Sequence, residues 1–463
     1  MALCVRRLVL AATLAAVVAL LLCTSSAPVA RAAVKDDFTA AQRTNTLAVL
    51  EAFGRAIPEL GKLWKGDDFC FWESVVCDVT EVYLWEIGAT YTGTLPEMPV
   101  DVDYTAVMVK HLDFSQMGLG LSGTLPDSWS RLQGLTSLTL SGCGVSGTLP
   151  PSWRSMKSLV SLWIESCESV TGKLPPEWSS MKSLRDLHLH GAKVSGTLPP
   201  EWSTMKSLTL LDLQDTQVTG SLPPEWSSMK SMTILSLNGA KVSGTLPPQW
   251  SSMTSLSLLS LEGTQLSGTL PPQWSGMTSL VTLFLQGTQV SGTLPPQWRS
   301  MLNAEFLQLE NCDLSGCLPP EWAAMPKLRH VELKGNQFAG CVPDSWAQKA
   351  GLVVEIEDKH TGNSCIAGAD CATTTTTTTE PTSTASPTAT PTSAPETECE
   401  VDGCEVCDGD SAARCARCRE GYFLTDERTC LVYRDGGVVA VSIGAAAAAV
   451  VCMAVLLSVG LAA

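Results

Sequence analysis

The chain has 463 residues, 18 cysteines and a formal net charge of -16. So acidic a balance excludes nucleic acid as a partner, because neutralising phosphates requires clustered Lys and Arg, and it leaves basic patches on other proteins as partners. The length suffices for a sizeable core with appendages. Arg6 and Arg7, the apolar run 8–22 and the small-x-small site Ala30-Arg31-Ala32 read as a secretory signal over residues 1–32. Export accounts for the cysteine content, since disulfides persist outside the cytosol. Residues 33–81 read as an end cap. It begins with a helix over 33–63, in which Leu47, Leu50, Phe53 and Ile57 fall at helical spacing.

Residues 82–354 are periodic. Trp129, Trp153, Trp178, Trp202, Trp226, Trp250, Trp274, Trp298, Trp322 and Trp346 lie 24 residues apart, with a single spacing of 25. A fixed period in this range means a solenoid, whose repeats bury their apolar faces only against neighbouring repeats. One repeat reads Leu208-x-x-Leu211-x-Leu213, then Val218-x-Gly220-Ser221-Leu222-Pro223-Pro224-Glu225-Trp226 and Met229. The Leu-x-Leu alternation predicts a short strand. Gly220 and Pro223 predict turns, and Trp226 and Met229 should point inward on the return path.

Gly-Thr-Leu-Pro recurs at Gly93, Gly123, Gly147, Gly196, Gly244, Gly268 and Gly292, with variants at Gly172, Gly220, Gly316 and Gly340. This pattern resembles the 24-residue subtype of the leucine-rich repeat. The resemblance implies an α/β-type solenoid of about 11 repeats, with short parallel strands on the concave face and irregular or 3-10 return segments. One departure stands out. The ladder position that is usually Asn or Cys in that family holds Thr216, Ala240, Thr264 or Thr288, and Asn336 alone of this group keeps Asn. Thr bonds backbone more weakly, so a looser ladder is expected. Cys70 and Cys77, on either side of Trp72, resemble the disulfide-stapled cap of secreted leucine-rich repeat proteins.

Residues 355–371 read as the closing cap, with Cys317, Cys341, Cys365 and Cys371 pairing among themselves. Cys317 and Cys341 occupy equivalent places in adjacent repeats, so a bridge between them is geometrically possible. Cys143, Cys167 and Cys312 sit at the ladder position and read as buried free thiols, an intermolecular disulfide from one of them being the alternative. Residues 372–397 form a Thr/Pro/Ser-rich stalk with nothing apolar to bury, whose hydroxyls are candidate glycan sites. Residues 398–432 carry Cys399, Cys404, Cys407, Cys415, Cys418 and Cys430. Two Cys-x-x-Cys pairs admit zinc, and three disulfides are the reading that fits an exported module. The module resembles furin- or EGF-like domains of protozoan surface proteins. The apolar run 438–463 follows Asp435 and Gly436 and resembles a GPI-attachment signal with those residues as attachment candidates. It is also long enough for a transmembrane anchor.

No catalytic constellation emerges, and no cofactor or metal is expected. His188 and His190, with Asp186 and Asp212 nearby, could hold a metal, but two solvated side chains on a polar face is the reading adopted. Strand positions alternating with the core leucines form columns on the concave face. One column holds Leu210, Ile234, Leu258, Thr282 and Phe306. A second includes Trp163, His188, Asp212 and Phe284, and a third is polar, with Glu165, Gln214, Asn238, Glu262, Gln286 and Glu310. An exposed apolar column edged by acidic and amide groups suits a protein partner. The bland alternative is that it merely covers core edges.

Signal, cap, Gly-Thr-Leu-Pro-Pro-x-Trp repeats, stalk, cysteine module and apolar end together resemble the promastigote surface antigen family of Leishmania. The resemblance implies a non-enzymatic, usually GPI-anchored coat glycoprotein at the cell surface. It also implies attachment to host macrophages through complement receptors, and resistance to complement. A structural coat or antigenic shield without a specific ligand is the rival expectation.

Overall fold

A computed structural model describes residues 38–85, 87–361 and 371, together with the backbone of strands between 404 and 432. The expected signal, the stalk, the C-terminal apolar run with Asp435 and Gly436, and Cys365 and Cys399 lie outside the described residues. The chain divides into two compact units, Met1–Ser243 and Gly244–Ala463.

The first unit opens with a helix, Ala40–Ala56, whose start is closed by a capping box. Gln42 N donates to Thr39 Oγ1 (3.3 Å), and Thr39 N donates to Gln42 Oε1 (2.8 Å), satisfying two otherwise orphaned amides. Leu50, Phe53 and Ile57 are fully buried, as their spacing predicts, whereas Leu47 is only half-buried. Phe53 lies 5.8 Å from the ring of Trp129, the first of the periodic tryptophans. The helix thereby covers an end repeat that has no neighbour. Cys70 bonds Cys77, as the cap resemblance implies. The strand Val75–Cys77 pairs antiparallel with Val82–Leu84.

From Val82–Leu84 the strands run parallel: Val109–Asp113, Ser137–Ser141, Ser161–Glu165, Asp186–His188, Leu210–Asp212 and Ile234–Ser236. Register advances one repeat per strand, with Leu187 opposite Leu211 and Leu211 opposite Leu235. These leucines are fully buried.

The indoles form a second spine. Trp153, Trp178, Trp202 and Trp226 stack with centroids 6.3, 6.5 and 6.4 Å apart. Each sits in a 3-10 turn begun by Pro, such as Pro200–Thr204 and Pro224–Ser228, where the missing amide costs nothing. A buried indole N–H needs an acceptor. Trp202 Nε1 donates to Pro175 O, and Trp226 Nε1 to Pro199 O, both at 3.0 Å. The Pro-Pro-x-Trp motif therefore ties each repeat to the one before it.

The return segments hold more order than the repeat pattern suggests. Ser195–Thr197, Gln217–Ser221 and Lys241–Thr245 form a second parallel ladder, with Gly196 opposite Val218 and Gly220 opposite Val242. Gly220 has φ +79, and a Cβ there would meet Thr197 Cγ2 at 2.9 Å. Position 220 is therefore closed to other residues on both grounds.

The second unit repeats the plan. Leu258–Ser260, Thr282–Phe284, Phe306–Gln308, His330–Glu332 and Val353–Glu355 pair in parallel. Gln265–Thr269, Gln289–Gly292, Asp313–Cys317 and Gln337–Ala339 form the return ladder. Trp298, Trp322 and Trp346 stack at 5.7 Å steps. Between 404 and 432, Cys404–Asp408 pairs antiparallel with Ser411–Cys418, and Tyr422–Leu424 with Cys430–Val432. This register sets Cys404 opposite Cys418 and Cys407 opposite Cys415.

One cysteine expectation is corrected and another is met in part. Cys143 and Cys167 are not free thiols but bond to each other across adjacent repeats. Of the three ladder cysteines, Cys312 remains a buried free thiol. Cys317 bonds Cys371, a pair within the expected group of four, rather than the possible bridge to Cys341, and Cys341 is also disulfide-bonded. The ladder threonines bond mainly within their repeats, although Thr288 Oγ1 also lies 3.4 Å from Cys312 Sγ of the next repeat. Thr216, Thr264 and Thr288 each donate to a carbonyl three residues back, within their own repeat. Asn336 instead donates to Leu309 O and Leu333 O (both 2.8 Å) and accepts from Leu314 N (3.0 Å), joining two repeats.

Candidate interaction surface

Strand residues that alternate with the core leucines point away from the core and form the outer face of each ladder. In the first unit the register sets Asp186 opposite Leu210 and Leu210 opposite Ile234. It also sets Trp163 opposite His188 and His188 opposite Asp212. The columns read from the sequence therefore exist. Their exposure differs from expectation: Leu210 retains 5% of its surface and Ile234 3%. Adjacent branched side chains at one strand spacing cover each other, so this part of the column is closed.

The expectation of two solvated histidines also fails, because His188 is buried. Trp163 stacks on its ring at a centroid distance of 3.8 Å. The Trp163 indole donates to Ser161 Oγ (2.7 Å), which fixes the stack. His188 Nδ1 lies 3.6 Å from Glu165 Oε1 and 3.9 Å from Asp212 Oδ2, while its Nε2 is buried without a partner. Burial pushes the His188 pKa down to about 4, and His190 adds to the shift. The carboxyls of Glu165 and Asp212 are both raised, first by burial. Gln214 N holds Asp212 Oδ1 at 3.0 Å. The group is thus a desolvated patch in which burial disfavours the charged form of each member. Nearer the cap, Tyr83 and His111 stack at 4.2 Å, and Glu81 Oε2 accepts from Tyr83 OH (3.0 Å). Burial and this carboxylate push the Tyr83 pKa up to about 12. The tyrosine–histidine pair was not singled out from the sequence, because the two residues are 28 apart and meet only when their strands pair.

In the second unit Leu258 faces Thr282 and Thr282 faces Phe306. Leu258 is half-buried and Phe306 is 39% exposed, whereas Phe284 is buried at 7%. The threonine between the two larger side chains is too short to cover them. Beside this column runs an amide relay. Gln286 Nε2 donates to Gln308 Oε1, and Gln308 Nε2 to Glu332 Oε1, both at 3.1 Å. The accessible apolar members of the expected partner-binding set are therefore Trp163 in the first unit and Leu258 and Phe306 in the second.

Residues 134–156 match the Leucine Rich Repeat family, and residues 400–433 match the family described as Surface membrane glycoprotein GP46/M-2, beta-sheet domain. Over 140 residues the chain is 65% identical to the surface membrane glycoprotein GP46/M-2 of Leishmania amazonensis. That match spans 30% of this chain and 29% of the relative. Among solved structures, PEPR1-AtPEP1 aligns with a TM-score of 0.57 at 24% identity, over 68% of this chain and 48% of that one. A plant ice-binding protein aligns with a TM-score of 0.50 at 20% identity, over 69% and 96%. These likenesses establish the leucine-rich repeat fold.

Proposed function

We propose that this leucine-rich repeat chain, akin to the Leishmania glycoprotein GP46/M-2, is a non-enzymatic cell-surface glycoprotein that binds a protein of its host. The name of the relative supports the surface location, and the signal-like start and apolar end are consistent with export and anchoring. Among the described residues no helix is long and apolar enough to cross a membrane, and the anchor is either a GPI moiety at Asp435 or Gly436 or the run 438–463 itself. Release of the protein from cells by phosphatidylinositol-specific phospholipase C distinguishes the two.

The observation that carries the binding reading is the open part of the strand face, where Leu258 and Phe306 stand beside the polar row of Gln286 and Gln308. Apolar centres edged by amides and carboxylates are the composition of protein interfaces. The partners proposed are complement receptors or complement components, through which the protein would serve adhesion to macrophages and resistance to complement. The test is binding of the mature chain to macrophages and to purified complement proteins, beside Leu258→Glu and Phe306→Glu variants. Saturable binding that both variants lose supports the reading. Absence of binding by any of the proteins favours the coat or antigenic shield, to which the closed face at Leu210 and Ile234 lends weight. Binding that survives in both variants moves the site off this face.

A further inference from the structure

At the last strands of the second unit, register brings three potential ligands together. His330 and Glu332 are two apart on one strand and share a face. The parallel neighbour places Glu355 directly opposite Glu332. His330 Nε2 lies 3.0 Å from Glu332 Oε1 and 3.7 Å from Glu355 Oε1. One ligand atom from each residue falls within 4.8 Å of the other two. Zinc binds imidazole nitrogen and carboxylate oxygen at about 2.0–2.2 Å, so donors around it stand roughly 3.3 Å apart. A small rotation of the half-exposed Glu355 closes the remaining gap.

We propose that His330, Glu332 and Glu355 bind a divalent cation of the zinc class. One nitrogen and two carboxylate oxygens suit Zn²⁺ or Co²⁺, whereas Ca²⁺ takes about six to eight oxygens. Three protein ligands leave a fourth position open to solvent, as in zinc sites that exchange a ligand. The outer partners fit the role. Gln308 Nε2 fixes Glu332 Oε1 and is itself held by Gln286, an orienting arrangement typical around bound metals. Lys334 Nζ lies 3.4 Å from Glu355 Oε2, the other oxygen of that carboxylate. That ammonium is a competing charge, so its removal should tighten binding. The buried His188 group does not present the same opportunity: among the described residues, only the His330 group brings three such ligand atoms this close.

The site does not depend on whether the strand face binds a host protein. Its test is titration of the full mature chain with Zn²⁺ by calorimetry, and with Co²⁺ by visible absorption, beside His330→Ala, Glu355→Gln and Lys334→Ala. Thermal unfolding of each variant checks the fold, and Glu355→Gln keeps the side-chain shape if His330→Ala perturbs it. The expected result is one ion per chain, an affinity at least about tenfold weaker in His330→Ala and Glu355→Gln, and a tighter site in Lys334→Ala. No saturable uptake overturns the proposal. So does uptake unchanged in both His330→Ala and Glu355→Gln, which would place the metal elsewhere, for example on the cysteines between 399 and 430.

Discussion

The two units share one repeat plan and differ on the outer face of their strands. In the first, Leu210, Ile234, His188 and Asp212 are all buried. In the second, Phe306 is exposed, and Leu258 and His330 are half-buried. The inner leucines and the indoles are fully buried in both. The repeat motif therefore dictates the core, while the identity of the neighbour one strand away dictates whether an outer residue is reachable. Ile234 lies beside Leu210 and is covered, whereas Phe306 lies beside Thr282 and is not.

The largest expected effect tests the shared part of this comparison. Trp202→Ala and Trp298→Ala should each destabilise their unit by about 3–5 kcal/mol in urea unfolding, because each leaves a cavity and an unsatisfied proline carbonyl. A large difference between the two would mean that the units differ in their cores as well as on their faces.

Next in size is the buried histidine. The unfolded chain protonates His188 near 6.5, while the folded chain resists until about 4. Between these values the unfolded state holds more protons, so stability present above pH 6.5 is lost as pH falls toward 4. The loss is at most about 3 kcal/mol. The raised carboxyls of Glu165 and Asp212 act in the opposite sense, gaining stability as they protonate. Comparing the chain with His188→Gln isolates the histidine: the wild-type advantage should shrink across this window, and a flat difference would mean that His188 is hydrated.

A third pair addresses the faces directly. Ile234→Ala should cost about 2 kcal/mol and Phe306→Ala less than about 1 kcal/mol, read from thermal midpoints. Equal losses would erase the distinction between a closed and an open column. The smallest effect concerns the ladder. Asn336→Thr should cost about 1–2 kcal/mol, since Thr can replace one of the three bonds and leaves a buried amide without its acceptor. Thr264→Ala in the same unit should cost about 1 kcal/mol, because its hydroxyl serves a carbonyl of its own repeat.

Much of this was legible in the chain. The tryptophan period gave the solenoid, the Leu-x-Leu alternation gave the parallel strands, and the helical spacing of Leu50, Phe53 and Ile57 gave the buried face of the cap helix. The columns Leu210–Ile234 and Leu258–Thr282–Phe306 followed from the same register. Their exposure did not, because periodicity says which way a side chain points and not how tall its neighbours are. Cys143 and Cys167 look like any other ladder cysteines, and only the stacking of adjacent repeats, with their Cα atoms 4.9 Å apart, brings their sulfurs together. The return ladder was hidden because glycine inside Ser-Gly-Thr reads as a turn, and its left-handed φ is compatible with strand pairing only in the stacked context.

Sequence alone fixed what repeats: an apolar residue every second position in a strand and an indole every turn of the coil must be buried, because nothing else removes so much apolar surface from water. Tertiary structure alone decided what meets across repeats. Residues 22 to 27 apart in the chain become neighbours only when the coil closes, so the indole-to-proline bonds, the burial of His188 under Trp163, and the convergence of His330, Glu332 and Glu355 depend on stacking distance and side-chain height that no single repeat encodes.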